Sequence, residues 1–253
     1  MKFTNYIILL TIFSILGCGN SKINRKLSLL QMSPIILKEN GNDLFQYWEI
    51  REHKYLKEYE LGEVNALQAY RDSISEIIGD SVIQNMIKRE RIQSQISNEN
   101  VDSLNNYDLI HKGYLGEIRR INFIEAELLN YQITRYPLFS HPTEFHSFIM
   151  KNDSLGLIRI YFGANDQPWP PKPKSIIAHI EHSINNGWYL TSHLHNHYEP
   201  ASNNYVGVMA PSLADVHYFK ILKNRFGLSE ALITNGFSTL ILKEKNFDKL
   251  NSH

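Results

Sequence analysis

Residues 188–197 read WYLTSHLHNH, residues 213–226 read LADVHYFKILKNRF with Gly227 behind them, and residues 230–234 read EALIT. The first stretch opens as a strand, Trp188 to His193, that leads straight into the histidines. The second is helical from Leu213 to Phe226, with Gly227 as its stop. The third, Glu230 to Thr234, is a short apolar strand. Strand, helix, strand in succession places this half of the chain in the α/β class. His193, His195 and His197 stand two apart, and on an extended segment side chains two apart share one face. Imidazole is the commonest nitrogen ligand of zinc, and a carboxylate is a normal further ligand at a hydrolytic site. Six of the eleven histidines (His179, His182, His193, His195, His197 and His217) fall within the 39 residues from 179 to 217.

Working outward, Glu144 to Met150 reads as a strand, Lys151-Asn152-Asp153-Ser154 as a turn, and Leu155 to Phe162 as the partner strand. Asp166 to Lys174 (DQPWPPKPK) holds four prolines and is an extended loop that carries Trp169. Ser175 to Asn186 reads as a helix that Gly187 closes. Downstream, Asn235-Gly236 between Glu230–Thr234 and Phe237–Leu242 is a hairpin signal.

Upstream the character is helical. From Asn42 to about Gln95, apolar residues recur at helical spacing (Leu44, Tyr47, Trp48, then Ile74, Ile77, Ile78, Val82, Ile83, Met86, Ile87). Ser97 to Asn106 is a polar linker, and a second helix covers Tyr107 to Tyr131. The expected organisation is a tether over residues 19–41, a helical region over 42–135, and an α/β domain over 136–253.

The first residues have their own chemistry. Lys2 precedes an apolar run, Tyr6 to Leu16, shorter than the roughly 20 residues that a membrane-spanning helix needs. It ends in Ile15-Leu16-Gly17-Cys18, and Cys18 is the single cysteine. This resembles a bacterial lipobox, so residues 1–18 read as a lipoprotein signal peptide with Cys18 as the lipidated residue. The expected location is export, with a lipid anchor in a bacterial membrane. Lys+Arg and Asp+Glu balance at 26 each. Such a balance gives no basic surplus to attract nucleic acid, and no nucleic-acid partner is expected.

Two histidine-rich folds are excluded by position. The metallo-β-lactamase motif His-x-His-x-Asp-His, counted from His193, needs Asp at 197 and His at 198, where His197 and Tyr198 stand. Amidohydrolase-type barrels need most of roughly 250 residues downstream of their His-x-His, and too little chain follows here. Ser212-x-x-Asp215 is a capping-box arrangement that opens the Leu213 helix. It also puts a carboxylate in the first turn, where it can face a cation held by the histidines.

His195-Asn196-His197 followed by Ser212-x-x-Asp215 resembles the signature of the JAMM (MPN+, JAB-domain) zinc metalloproteases. That family adds an upstream Glu that opens a strand, and Glu144-Phe145-His146-Ser147-Phe148-Ile149 is similar, with Ser147 where Gly is usual. The resemblance spans about residues 120–242. It implies a mixed β-sheet flanked by helices, here behind an N-terminal helical arm. It implies Zn2+ as cofactor on His195, His197 and Asp215 with a water at the fourth position. It implies Glu144 as general base and Ser212 as oxyanion donor, both catalytic. Tyr198 stands where the family usually has Pro, and the stretch to Ser212 is long, so a loop from Tyr198 to Ala210 is expected over the site. His193 with His195 stays open as an alternative pair of metal ligands.

The function so implied is hydrolysis of a peptide or isopeptide bond in a peptide or protein substrate, at a membrane reached through Cys18. The alternative is a non-catalytic domain of the same kind that serves as a binding module on a lipid-anchored protein.

Overall fold

A computed structural model describes residues 32–40, 42–51, 65–78, 100–136, 143–197 and 209–252. The expected signal segment with Cys18 and most of the loop expected over residues 198–210 lie outside the described residues. Described strands are β1 (Ile35–Asn40), β2 (Asp43–Arg51), β3 (Glu117–Arg120), β4 (Phe145–Asn152), β5 (Leu157–Ala164), β6 (Tyr189–Asn196), β7 (Glu230–Thr234) and β8 (Ser238–Lys243). Helices are α1 (Asn65–Ile78), α2 (Val101–His111), α3 (Phe123–Arg135), α4 (Lys174–Ile184), α5 (Leu213–Phe226) and the short α6 (Glu244–Phe247). The strands make one mixed sheet in the order β1-β2-β5-β4-β6-β7-β8-β3. All its pairings are antiparallel except β6 with β7, which α5 joins as a strand–helix–strand unit.

Helices cover both faces. On one, Phe123, Ile124, Ala126, Leu128 and Leu129 of α3 pack on Trp48, Ile160, Phe162, Leu194 and Leu232, and α1 lies against α3. On the other, Ile176 and Ile180 of α4 and Val216, Phe219 and Leu222 of α5 pack on Phe148, Tyr161, Ala231 and Ile233. Burying each such side chain contributes about 1.5–3 kcal/mol, which is why the two-sided sheet dominates the fold.

This two-sided burial corrects the helical reading of residues 43–51, which form β2. Phe45 and Tyr47 enter one core while Trp48 and Ile50 enter the other. A strand buried on both faces loses its polar alternation, so Leu44, Tyr47 and Trp48 matched helical spacing by coincidence. β1 likewise replaces the end of the expected tether, pairing with β2. The expected helix over 107–131 is split: α2 starts earlier, at Val101, and its N-cap Asn100 accepts from Asp102 N at 2.8 Å. β3 then pairs with β8 before the Asn122–Glu125 capping box opens α3. Gly116 makes that break. Its φ is 79°, and a Cβ there would meet Leu240 Cδ1 at 2.8 Å and the Ile241 carbonyl at 3.2 Å, so only glycine lets the chain reach β8. Three of the eight strands therefore come from residues before 136 and belong to the same sheet.

The second half follows the expected order of strand pair, helix, strand, helix and strand. β4 and β5 sit one to two residues later than expected, and β6 continues through His195 to Asn196. The hairpin turn also slips by one: Asn235 N bonds Ser238 O at 3.3 Å, so Gly236-Phe237 is its centre.

Candidate metal site at the carboxyl end of β6

β6 delivers the histidines through a bulge. Ile149 pairs with Ser192 and Met150 with Leu190, which leaves Thr191 as the extra residue; its Oγ1 donates to Ile149 O at 2.8 Å. One inserted residue flips the alternation beyond it. His193 and His195 consequently share the face of Leu190, toward α5, where their rings meet Phe219. His197 follows the strand, with its N–H bonded to Thr234 O of β7 at 2.9 Å. All three are buried.

α5 brings the carboxylate. Its N-cap Ser212 accepts from Asp215 N at 3.1 Å, while Asp215 Oδ2 accepts from Ser212 N at 2.8 Å and from Ser212 Oγ at 2.7 Å. With Leu213, Val216 and Phe219 packed into the core, the cap aims Asp215 across the end of β6.

His195 Nε2 and His197 Nε2 are 2.9 Å apart, and Asp215 Oδ1 and Oδ2 lie 3.5 Å and 3.6 Å from them respectively. One donor atom from each residue falls within 4.8 Å of the others. Ligand atoms about 2.0–2.2 Å from a tetrahedral zinc stand roughly 3.3 Å from one another, a spacing these distances straddle. The donor set, two imidazoles and a carboxylate, suits zinc. Burial alone would raise the Asp215 carboxyl, but His195 and His197 outweigh it by charge and hydrogen bond and hold it well below the usual carboxylate range. An anionic carboxylate beside two imidazole nitrogens is what a cation site requires. The group can therefore hold a metal ion.

Glu144 and Ser212 reach this end of the sheet by different routes. His146 of β4 pairs directly with His195 of β6. Glu144 stands just before β4, and its neighbours Thr143 and Phe145 are bonded to Asn196, the residue between His195 and His197. Ser212 is on the site, with its hydroxyl proton on Asp215 Oδ2. His193 is turned elsewhere: its Nε2 lies 2.9 Å from His146 Nδ1. The group that could hold a metal ion is His195, His197 and Asp215, while the His193 Nε2 faces β4. His179 contacts the Tyr161 hydroxyl at 2.9 Å on α4, and His182 and His217 are exposed, so these three histidines are not part of it.

Sequence reasoning missed His146 and Tyr218, whose rings flank His193 at 5.0 Å and 5.3 Å. The period-two signal could have found His146, since it alternates with Glu144; Tyr218 carries no such signal. Burial, then the neighbouring His195, push His146 down to about 3 and His193 also well below the ordinary imidazole range, so both are neutral.

Fold and site together define a mixed α/β protein with a His-His-Asp group able to hold a metal ion. The chain matches no family model, no curated protein and no solved structure.

Proposed function

We propose that the protein is a zinc-dependent hydrolase of JAMM type that cleaves a peptide or isopeptide bond. The observation that carries this is the convergence of His195, His197 and Asp215 on one point at the carboxyl end of β6, with the backbone on either side of Glu144 bonded to Asn196 between the two histidines. His195, His197 and Asp215 would hold the zinc ion, which would supply Lewis acidity for the scissile carbonyl and lower the pKa of a water to about 7. Glu144 takes the proton of the attacking water and returns it to the leaving amine nitrogen. Ser212 Oγ donates to the oxyanion of the tetrahedral intermediate, exchanging its present bond to Asp215 Oδ2. The substrate side of this reading is a peptide or protein outside the cytoplasm. The lipobox at Cys18 supports an exported chain held at a membrane by acyl groups. Among the described residues no helix is long and apolar enough to cross a membrane.

Metal analysis of the full chain in detergent, followed by a peptide-library screen with Glu144→Gln as control, tests the proposal. The expected result is about one zinc per chain and cleavage that Glu144→Gln abolishes. No bound metal after zinc is supplied would sink the hydrolase. Bound zinc, with a peptide captured intact by wild type and Glu144→Gln alike, would make the domain a binding module.

A further inference from the structure

We infer that Asn196, the residue between the two histidine ligands, is the positioning residue for Glu144. The buried Asn196 side chain donates from Nδ2 to Thr143 O at 2.9 Å and accepts at Oδ1 from Phe145 N at 2.8 Å. It therefore bonds the backbone on either side of Glu144 as a peptide group of a neighbouring strand would, just where the pairing of β4 with β6 ends. Both flanking residues are immobilised otherwise as well. Thr143 is fully buried and its hydroxyl accepts from Gln132 of α3, while the Phe145 ring packs on Phe162 at 5.2 Å. Glu144 is the half-buried residue between two fixed points.

The same short segment, His195-Asn196-His197, thus carries the two candidate ligands and, between them, the clasp on the backbone around Glu144. Any shift of the ligands carries the base with it, which preserves their separation, and base catalysis is sensitive to that separation. Aspartate would keep the acceptor for Phe145 N and lose the donor to Thr143 O; alanine loses both. A side chain whose only part was to fill the core would tolerate either change without effect on Glu144.

This inference rests on the hydrolase reading, and its test separates the two. Full-length wild type, Asn196→Ala, Glu144→Gln and the double variant are compared for metal content, peptide cleavage, and visible spectrum after cobalt(II) replaces zinc. Asn196→Ala is expected to keep its metal and lose about 10–100-fold in kcat, as residues that orient a metal site do. The double variant should be no slower than Glu144→Gln alone. The cobalt spectra of the two single variants should move in the same direction from wild type. Multiplicative losses in the double variant, or an Asn196→Ala spectrum that superposes on wild type while Glu144→Gln shifts, would overturn the inference. The spectrum needs no turnover: if wild type cleaves nothing and both spectra still move together, the hydrolase reading falls and the placement of Glu144 stands. If Asn196→Ala does not fold, Asn196→Asp carries the same comparison.

Discussion

His193 Nε2 lies 2.9 Å from His146 Nδ1 across two strands, so this nitrogen faces β4 and not the His195–His197–Asp215 group, although His193 shares its face with His195. Single substitutions should therefore split. His195→Ala, His197→Ala and Asp215→Ala are each expected to lose bound zinc, whereas His193→Ala keeps it. The stability of the wild type should track the metal. A ligand bound only by the folded state at 100 times its Kd adds about 2.7 kcal/mol, a rise of roughly 5–10 °C in Tm for a domain of this size. Calorimetry with and without zinc on the four variants reads both effects. Zinc-dependent Tm in His195→Ala, or none in His193→Ala, would refute the assignment.

Ser212 holds α5 and the carboxylate with one side chain, so its loss is felt twice. Ser212→Ala removes the cap bond to Asp215 N and the bond from Oγ to Asp215 Oδ2. The first is worth about 0.5–2 kcal/mol. Loss of the second should weaken zinc binding by about 10–100-fold, the effect typical of a group that orients a ligand. Ser212→Thr should restore both. Denaturant unfolding in chelator and competitive zinc titration measure the two separately; a full loss of stability with unchanged affinity would show that the hydroxyl serves the helix alone.

The parts of this molecule legible in its sequence are those with local causes. Gly227, with φ 68° after Phe226, and the Ser212–Asp215 box bound α5 as they should, and a 14-residue helix between them was read to the residue. β2 was not legible, because burial on both faces erased its alternation. Gly116 falls inside the helix expected over Tyr107 to Tyr131, although its constraint is the approach to Leu240, a residue far along the chain. At the site, His195, His197 and Asp215 were legible because a two-residue period and a helix cap are both local patterns. The bulge at Thr191, the His146–His193 contact and the Asn196 clasp depend on which strands meet, and nothing in the order of residues states that.

Tyr218 presents the opposite case to Ser212. Its hydroxyl is buried with no hydrogen-bond partner among the described residues, and burial raises its pKa, so it stays protonated. His193 Nδ1 and His195 Nδ1 are orphaned in the same region. An unpaired buried hydroxyl costs about 1–3 kcal/mol, so Tyr218→Phe, which keeps the ring between His146 and His193, should leave stability unchanged or raise it by about 1 kcal/mol. A loss of more than that in urea unfolding would mean that the hydroxyl does have a partner, and an ordered water joining it to the two imidazoles is the natural one.

His146 sets an acid limit on the metal-free fold. Though part of its surface reaches solvent, its ring is enclosed by His193, Phe148 and Tyr218, and burial pushes it down from 6.5 to about 3. Between those values the unfolded chain binds a proton there and the folded chain does not. Stability accordingly rises with pH across the window, and falls on acidification from about pH 6.5 toward about pH 3 by at most about 1.4 kcal/mol per pH unit for this one residue. His193, lowered in the same direction, adds to the slope. Urea unfolding in chelator at a series of pH values should therefore show a shallower dependence for His146→Leu than for wild type, whatever the variant does to absolute stability. Parallel curves would mean that His146 takes up its proton in the folded state, and that the contact with His193 is not one between two neutral rings.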